Sequence, residues 1–152
     1  MAAVCLVVAW QRWTTSEERA IRTRLLGLAS DLNGPDAGAA SLLRAARFGD
    51  YFTDDVVVEL GEGSPPIIGR ATLVGMAARL ERRTTAARLK FDDIDVRLRD
   101  DRTAADVGLT ASFMREDGTG GDAVDAREFA LQLVKRDGQW RVARAAAVAA
   151  LR

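Results

Sequence analysis

The chain contains no histidine, which removes the side chain that most often acts as a general base near neutral pH. Histidine is also the most common ligand of transition metals in proteins, so sites of that kind are excluded. A single cysteine, Cys5, allows neither a disulfide within the chain nor a cluster of cysteine ligands. We therefore predict no metal site and no cofactor.

The chain also has no net charge, since Lys plus Arg and Asp plus Glu each number 22. A neutral chain has no overall field that attracts nucleic acid or acidic lipid, so we predict no nucleic-acid partner. A length of 152 residues, with 48% hydrophobic and 29% charged residues, is typical of one globular domain.

Long hydrophobic runs are absent as well. The apolar segment from Ala2 to Trp10 is well short of the about 20 residues that cross a bilayer, and it lacks the features of a secretory signal. Two interpretations stay open for residues 1–14. The segment is the remnant of a membrane anchor, with Trp10 and Trp13 at the bilayer interface, or an arm packed on its own domain or on a partner subunit. The cellular location depends on this choice: membrane-anchored or periplasmic in the first case, cytoplasmic in the second.

Residues 15–152 are predicted to form one domain that begins with helices. Thr15-Ser16-Glu17-Glu18 is typical of a capping box and predicts a helix start. The apolar positions that follow recur at helical spacing and end at a turn, Asn33 to Asp36. A second helix is expected to run to about Phe48, and a third to follow Gly69. The apolar positions of the first helix are Ile21, Leu25, Leu28 and Leu32.

Strands account for most of the remaining sequence. Val56 to Val58 predicts a short strand, and the turn Gly61 to Pro66 leads to a second one at Ile67-Ile68. From residue 89 the pattern alternates, with a change of parity between Phe91 and Ile94 that indicates a β-bulge.

Two further features complete the pattern of strands. Alternation is clean from Val107 to Phe113, and Asp137-Gly138 predicts a tight hairpin. Helices gathered on one face of a bent antiparallel sheet, with three helices in the N-terminal half, make an α+β domain.

Three segments resemble the nuclear transport factor 2-like superfamily, and within it the SnoaL-like proteins. They are the valine-rich strand Phe52 to Leu60, the Pro-x-x-Gly-Arg sequence Pro66 to Arg70, and "RDGQWRVAR" at Arg136 to Arg144. The resemblance covers about Glu17 to Leu151 and implies a sheet curled into a cone whose interior holds a small apolar ligand. It also implies a homodimer formed through the outer sheet face. The expected lining of the interior is Val58, Leu60, Leu109, Ala111, Phe113 and Phe129.

Steroid isomerases of this superfamily use a strand Asp as a base, and a Tyr and a protonated Asp stabilise the enolate. By the resemblance, these three positions fall on Leu60, near Leu25 and near Ala130. Leucine cannot accept a proton, so this chemistry is expected to be absent. The neighbouring carboxylate, Glu59, points to the other face of the strand. The polyketide cyclases of the family use a His–Asp arrangement, which a chain without histidine cannot form.

The small epoxide hydrolases of the superfamily use an Asp–Arg–Asp relay, for which the nearest candidates are Asp125, Arg127 and Asp106. Asp125 and Arg127 share parity with Phe129 and can reach the interior, whereas Asp106 is expected to face outward. Glu128 is a further candidate partner of Arg127. The other interpretation of these charges is an exposed ion pair at a strand end.

The remaining polar groups have structural interpretations. Asp54-Asp55 is expected to start a strand, although paired carboxylates can hold a metal. Trp140 beside the Asp-Gly turn is expected to pack in the core. The favoured function is a non-catalytic SnoaL-like domain that binds a small apolar molecule or serves as a dimeric interaction module, with membrane contact through residues 2–13. The alternative is a small hydrolase or isomerase that uses Arg127 with Asp125 or Glu128.

Overall fold

The computed structural model describes residues 2–33, 39–81, 87–116 and 122–148, with the backbone alone for 2–14 and for several residues beside the gaps. These ranges contain three helices and six strands. The helices are α1 (Ala2–Leu32), α2 (Ala39–Asp50) and α3 (Arg70–Glu81). The strands are β1 (Phe52–Glu59), β2 (Ile67–Ile68), β3 (Ala87–Leu98), β4 (Ala104–Glu116), β5 (Asp122–Arg136) and β6 (Gln139–Ala147).

The six strands form one sheet in the order β2-β1-β6-β5-β4-β3. The strands from β3 to β6 pair in antiparallel fashion, and β2 is antiparallel to β1. β6 lies between β5 and β1 and runs parallel to β1. The predicted α+β class with a curled sheet is confirmed, and the sheet is mixed rather than wholly antiparallel because the last strand inserts beside the first.

The predicted apolar face of α1 packs on the sheet. Ile21, Leu25 and Leu28 are almost completely buried, and Leu32 is partly buried against the same core. They join inward-facing strand residues such as Leu133 in one hydrophobic cluster. Complete burial of a side chain of this size contributes about 1.5–3 kcal/mol, so this face holds α1 against the sheet.

The predicted helix start at Thr15 is wrong, since α1 is continuous from Ala2. A capping box stabilises a helix start only where the preceding chain leaves the helix, and here the preceding segment continues it. Glu17 has a different part in the fold, because it accepts hydrogen bonds from Lys135 and Trp140.

The arm formed by residues 1–14 is thus, from Ala2 onward, the first part of α1. Its side chains lie outside the described residues, so its contact with a membrane or a subunit stays a prediction. None of the helices in the described ranges is both long enough and apolar enough to cross a membrane.

β3 contains the predicted bulge. Its register with β4 shifts between Asp92 and Asp95, and Asp93 has a φ of 53°. The extra residue changes the parity of the strand, so Phe91 before the bulge and Val96 after it both face the core side of the sheet.

Polar contacts fix α1 on β3, which is an edge strand. Arg22 donates a hydrogen bond to the carbonyl of Ile94 inside the bulge. At the end of the helix, the Asn33 amide donates to the Leu89 carbonyl at 2.6 Å and accepts from the Leu89 N–H at 2.7 Å. The Asn33 side chain thus pairs with the strand edge as a neighbouring strand would, and it satisfies backbone groups that would otherwise be free.

The predicted hairpin between β5 and β6 is confirmed. Asp137 and Gly138 both have positive φ, 51° and 76°, which is the geometry of a type I′ turn. The flanking residues Arg136 and Gln139 pair directly across the hairpin. This turn fixes the register of the two strands, and with it the face on which each residue of β5 lies.

Candidate functional site: the open end of the inner sheet face

Register and burial divide the sheet into an inner face toward the helices and an outer face. In β4, Val107, Leu109 and Ala111 are buried, whereas Asp106 and Gly108 are exposed. Residues directly paired on neighbouring strands share a face. The partners of the buried β4 residues therefore lie on the inner face too.

The inner face ends in an apolar surface that the described residues cover only in part, here called the open end. Phe113 is 42% exposed and Leu60, just after β1, is 37% exposed. Phe91 and Phe129 are partly buried and pack against the core. The open end is formed by Leu60, Leu89, Phe91, Phe113 and Phe129.

The six residues predicted to line the interior therefore divide into two groups. Val58, Leu109 and Ala111 are buried in the hydrophobic cluster. Leu60, Phe113 and Phe129 lie at the open end and keep part of their surface accessible. A ligand on the inner face would meet the second group first.

Arg127 reaches across the open end from β5 toward β1. It pairs with Ala111 on β4, which places it on the inner face. Its Nη1 lies 3.4 Å from the carbonyl oxygen of Leu60. β6 ends at Ala147, opposite Phe129, so the guanidinium passes beyond the last residue of that strand to reach Leu60.

Asp125 lies beside Arg127 on the same face, because it pairs with Phe113. The Arg127 Nε and the Asp125 Oδ2 are 3.7 Å apart, and the two side chains are 55% and 64% exposed. At this distance the two side chains form an ion pair without a direct hydrogen bond. The sequence therefore placed these two residues correctly, and the structure adds that their pair is loose.

The other candidate carboxylates do not join this pair. Glu128 is paired with Thr110 and lies on the outer face, so its side chain points away from that of Arg127. Asp106 also lies on the outer face, where Arg99 donates to both of its oxygens at 2.9 and 3.1 Å. That bond lowers the pKa of Asp106. Arg127 is thus flanked by one described carboxylate rather than two.

The positions of the isomerase residues are apolar as expected. Leu25 is buried on α1, and Leu60 has a partly exposed apolar side chain and a backbone carbonyl that faces Arg127. Ala130 is exposed on the outer face, and its neighbours Phe129 and Leu131 lie on the inner face. These two are also apolar, and no described residue supplies a carboxylate at any of the three positions.

The outer face carries closed ion pairs. Arg144 on β6 donates to both oxygens of Glu59 on β1, at 2.9 and 3.0 Å. Glu59 is therefore a cross-strand ion-pair partner on the face opposite the open end. Asp54, within β1, pairs with Arg70 at the start of α3. No group of three or more carboxylate or thiol ligands with the geometry of a metal site occurs in the described part of the chain.

Trp140 packs in the core, as predicted, and is 3% exposed. Its Nε1 donates to Glu17 at 2.8 Å, and Lys135 donates to the other oxygen of Glu17 at 2.6 Å. The hydrogen bond from Lys135 is the main reason why the pKa of Glu17 is lowered, against the opposing effect of burial. This cluster connects α1 to the hairpin of β5 and β6, and sequence reasoning missed it because its members are far apart in the chain.

A shallow groove of about 590 Å³ lies on α1 beside Tyr51. It is lined by Ser16, Arg19, Ala20, Thr23, Arg24 and Tyr51. Arg24 is engaged by the fold, since it donates to the carbonyls of Asp50 and Trp140 and its guanidinium lies 4.2 Å from the centre of the Tyr51 ring. Arg24 therefore has a structural role, and the groove shares no lining residue with the open end.

The inner face with an apolar open end can be compared with known proteins. A family model described as the SnoaL-like domain matches residues 36–146, most of the chain. The chain belongs to the SnoaL-like family. No curated protein matches this SnoaL-like chain.

Solved structures with the same fold are numerous, and their identities are low. A nuclear transport factor 2-like protein with a cystatin-like fold from Novosphingobium aromaticivorans has a TM-score of 0.74 at 12% identity, covering 92% of this chain and 86% of its own. A candidate scytalone dehydratase from Novosphingobium aromaticivorans DSM 12444 has a TM-score of 0.73 at 16% identity, covering 91% and 87%. A candidate aromatic ring hydroxylase from the same species has a TM-score of 0.70 at 15% identity, covering 91% and 92%.

These likenesses show the fold alone. A SnoaL-like domain of this fold can bind a small ligand or carry an active site. The choice between the two depends on the side chains at the open end.

Proposed function

We propose that this SnoaL-like protein binds a small, mainly apolar molecule at the open end without transforming it. The observation that carries the proposal is the chemistry of the inner face around Leu60. Apart from the exposed pair Arg127 and Asp125, the described inward-facing residues there are aliphatic or aromatic, and the isomerase positions hold no carboxylate. Partly exposed aromatic rings such as Phe113 and Phe129 offer a ligand large contact areas at little conformational cost.

The hydrolase alternative has one observation in its favour, since Arg127 and Asp125 share the inner face. A relay that activates water needs two carboxylates held by one arginine, and the described residues provide one. That carboxylate is 64% exposed, so bulk water already solvates it. A solvated carboxylate gains little from its surroundings as a base, which favours binding over catalysis.

The proposal is tested by titrating the protein with N-phenyl-1-naphthylamine, a neutral apolar dye that fluoresces in apolar surroundings. We expect saturable binding with one site per chain. Phe113→Asp places a charge on the inner face and is expected to weaken dye binding about tenfold or more, because the ligand loses an apolar contact and meets a carboxylate.

Val124→Asp is the matched control. Val124 is 59% exposed near the same end of the sheet and lies on the outer face, opposite Met114. Equal dye binding by the wild type, Phe113→Asp and Val124→Asp would contradict the open end as the site. The absence of saturable binding by the wild type would contradict the function itself.

We also propose that the protein forms a homodimer through the outer face. The centre of this face on β4 and β5 has small exposed residues, among them Gly108, Ala126 and Ala130. Small side chains allow a second sheet to approach closely, and flanking charges of both signs, such as Arg97 and Asp95, suit a self-complementary contact.

A further inference from the structure

The open end contains a cation and an anion whose hydrogen-bonding capacity is largely unused by the described residues. The closest contact between Arg127 and Asp125 is 3.7 Å, beyond the range of a hydrogen bond. The bond from Arg127 to the Leu60 carbonyl is long, at 3.4 Å. Among the described residues, no donor lies within hydrogen-bond distance of the Asp125 carboxylate.

The ion pairs on the outer face provide a contrast within the same sheet. Arg144 and Glu59 are joined by hydrogen bonds of 2.9 and 3.0 Å, and Arg99 and Asp106 by bonds of 2.9 and 3.1 Å. In each of those pairs, the guanidinium donors and the carboxylate acceptors bond directly to each other. The inner pair is held apart, with the guanidinium extended toward Leu60. Within the part of the chain that the structure describes, most donors of Arg127 and the acceptors of Asp125 are therefore left for a third group.

We infer that the ligand carries a neutral hydroxyl group, which accepts a hydrogen bond from Arg127 and donates one to Asp125. This inference deepens the proposed function and rests on it. A hydroxyl is both a donor and an acceptor, so one group satisfies both members of the pair. A carboxylate ligand would be attracted by Arg127 but repelled by Asp125. An ammonium ligand would be attracted by Asp125 but repelled by Arg127.

The apolar part of such a molecule has a surface to cover beside this pair. Asp125 is directly paired with Phe113, and Arg127 precedes Phe129 on the same face of β5. The backbone carbonyl of Leu60 lies 3.4 Å from the Arg127 Nη1, and Leu60 is 37% exposed. The hydroxyl is therefore expected to orient an apolar body that lies on these three side chains.

The test compares three molecules of one size and shape that differ in a single group: indane, 2-indanol and indane-2-carboxylate. Each competes with N-phenyl-1-naphthylamine for the wild-type protein at neutral pH. We expect 2-indanol to bind about tenfold more tightly than indane, the value of one to two hydrogen bonds, and the carboxylate to bind most weakly.

Variants of the pair show whether these two residues recognise the hydroxyl. Arg127→Gln and Asp125→Asn are each expected to reduce the preference for 2-indanol over indane, measured as the ratio of the two affinities in the same variant, to about twofold or less. Glu128→Gln is the matched control, because Glu128 lies between the two residues in sequence and on the opposite face. It should keep the full preference.

The outcomes separate this inference from the function on which it rests. Equal binding of indane and 2-indanol overturns the inference and leaves apolar binding intact. Tightest binding of the carboxylate, lost in Arg127→Gln, overturns it in favour of an anionic ligand. If neither the dye nor the three molecules bind, the proposed function fails and the inference fails with it.

Discussion

Tyr51 contacts α1 through its side chain and β6 through its backbone. Its hydroxyl donates to Asp31 of α1 at 2.7 Å, its ring packs under the guanidinium of Arg24, and its backbone carbonyl accepts from the N–H of Val142 in β6. The close approach depends on Gly27, since a Cβ atom there would lie 3.0 Å from the Tyr51 hydroxyl oxygen. A small residue on α1 thus makes room for an aromatic side chain that holds the helix.

Ionisation of Tyr51 is predicted to lower the stability of the fold at alkaline pH. Burial, together with the hydrogen bond to Asp31, raises the pKa of Tyr51 from 10.0 to about 12. The ionised side chain is therefore disfavoured in the folded state. Its contribution to stability is fully present below pH 10.0 and is lost as the pH rises toward about 12.

Tyr51→Phe is expected to lower the free energy of unfolding at neutral pH by about 0.5–1.5 kcal/mol, because the hydrogen bond to Asp31 is lost. The difference from the wild type should shrink as the pH rises from 10.0 toward about 12, where the unfolded wild-type chain ionises first. Urea unfolding at a series of pH values measures this. A constant difference across that range would show that the phenol does not titrate as described.

At the scale of the element, α1 is held at two places far apart along its length. Glu17 near the hairpin of β5 and β6 accepts from Lys135 and Trp140, and Asn33 pairs with the backbone of Leu89 on β3. The apolar face between them packs on the core. The polar contacts therefore set the position of the helix along the sheet, while the apolar face supplies most of the burial.

Glu17→Gln is expected to lower the free energy of unfolding by about 1–3 kcal/mol at neutral pH, because a charged hydrogen bond to Lys135 is replaced by a neutral one. The lowered pKa of Glu17 means that its contribution is present above its ordinary value of 4.5 and is lost as the pH falls below it. The difference between variant and wild type should therefore diminish in acid.

Glu18→Gln is the control for this measurement, since Glu18 is the next residue on α1 and no hydrogen bond to its side chain is recorded among the described residues. Chemical unfolding at neutral and acidic pH compares the three proteins. An equal effect of the two substitutions would argue against a specific contribution of the hydrogen bonds from Lys135 and Trp140 to Glu17.

At the scale of the whole molecule, the two faces of the sheet have different chemistry. The inner face is apolar up to the loose Arg127–Asp125 pair, and the outer face has closed ion pairs around small residues. A ligand and a second subunit would therefore use opposite sides of the same sheet. Occupation of one face leaves the other accessible.

The dimer predicts a specific response to charge. Ala130→Glu puts a carboxylate at the centre of the outer face beside Glu128, and we expect it to shift the protein from dimer to monomer in sedimentation velocity. Ala71→Glu, an exposed change at the start of α3, should leave the dimer intact. A monomeric wild type at micromolar concentration would contradict the proposal.

Local patterns in the sequence predicted most of the elements correctly. The parity change between Phe91 and Ile94 predicted the bulge of β3, and Asp137-Gly138 predicted the hairpin, because both signals depend on neighbouring residues alone. The parity of β5 also placed Asp125 and Arg127 on the inner face. The prediction failed at Thr15, because the segment directly before the capping box continues the helix instead of leaving it.

The sequence by itself determined the kinds of chemistry that this protein lacks and which residues of a strand share a face, since absent residue types and side-chain alternation need no partner. Tertiary structure alone decided that Arg127 meets the Leu60 carbonyl and that Glu17 meets Lys135 and Trp140. The physical reason is distance along the chain. Contacts between such remote residues depend on how β6 inserts beside β1 and on where α1 crosses the sheet, and no local pattern specifies either.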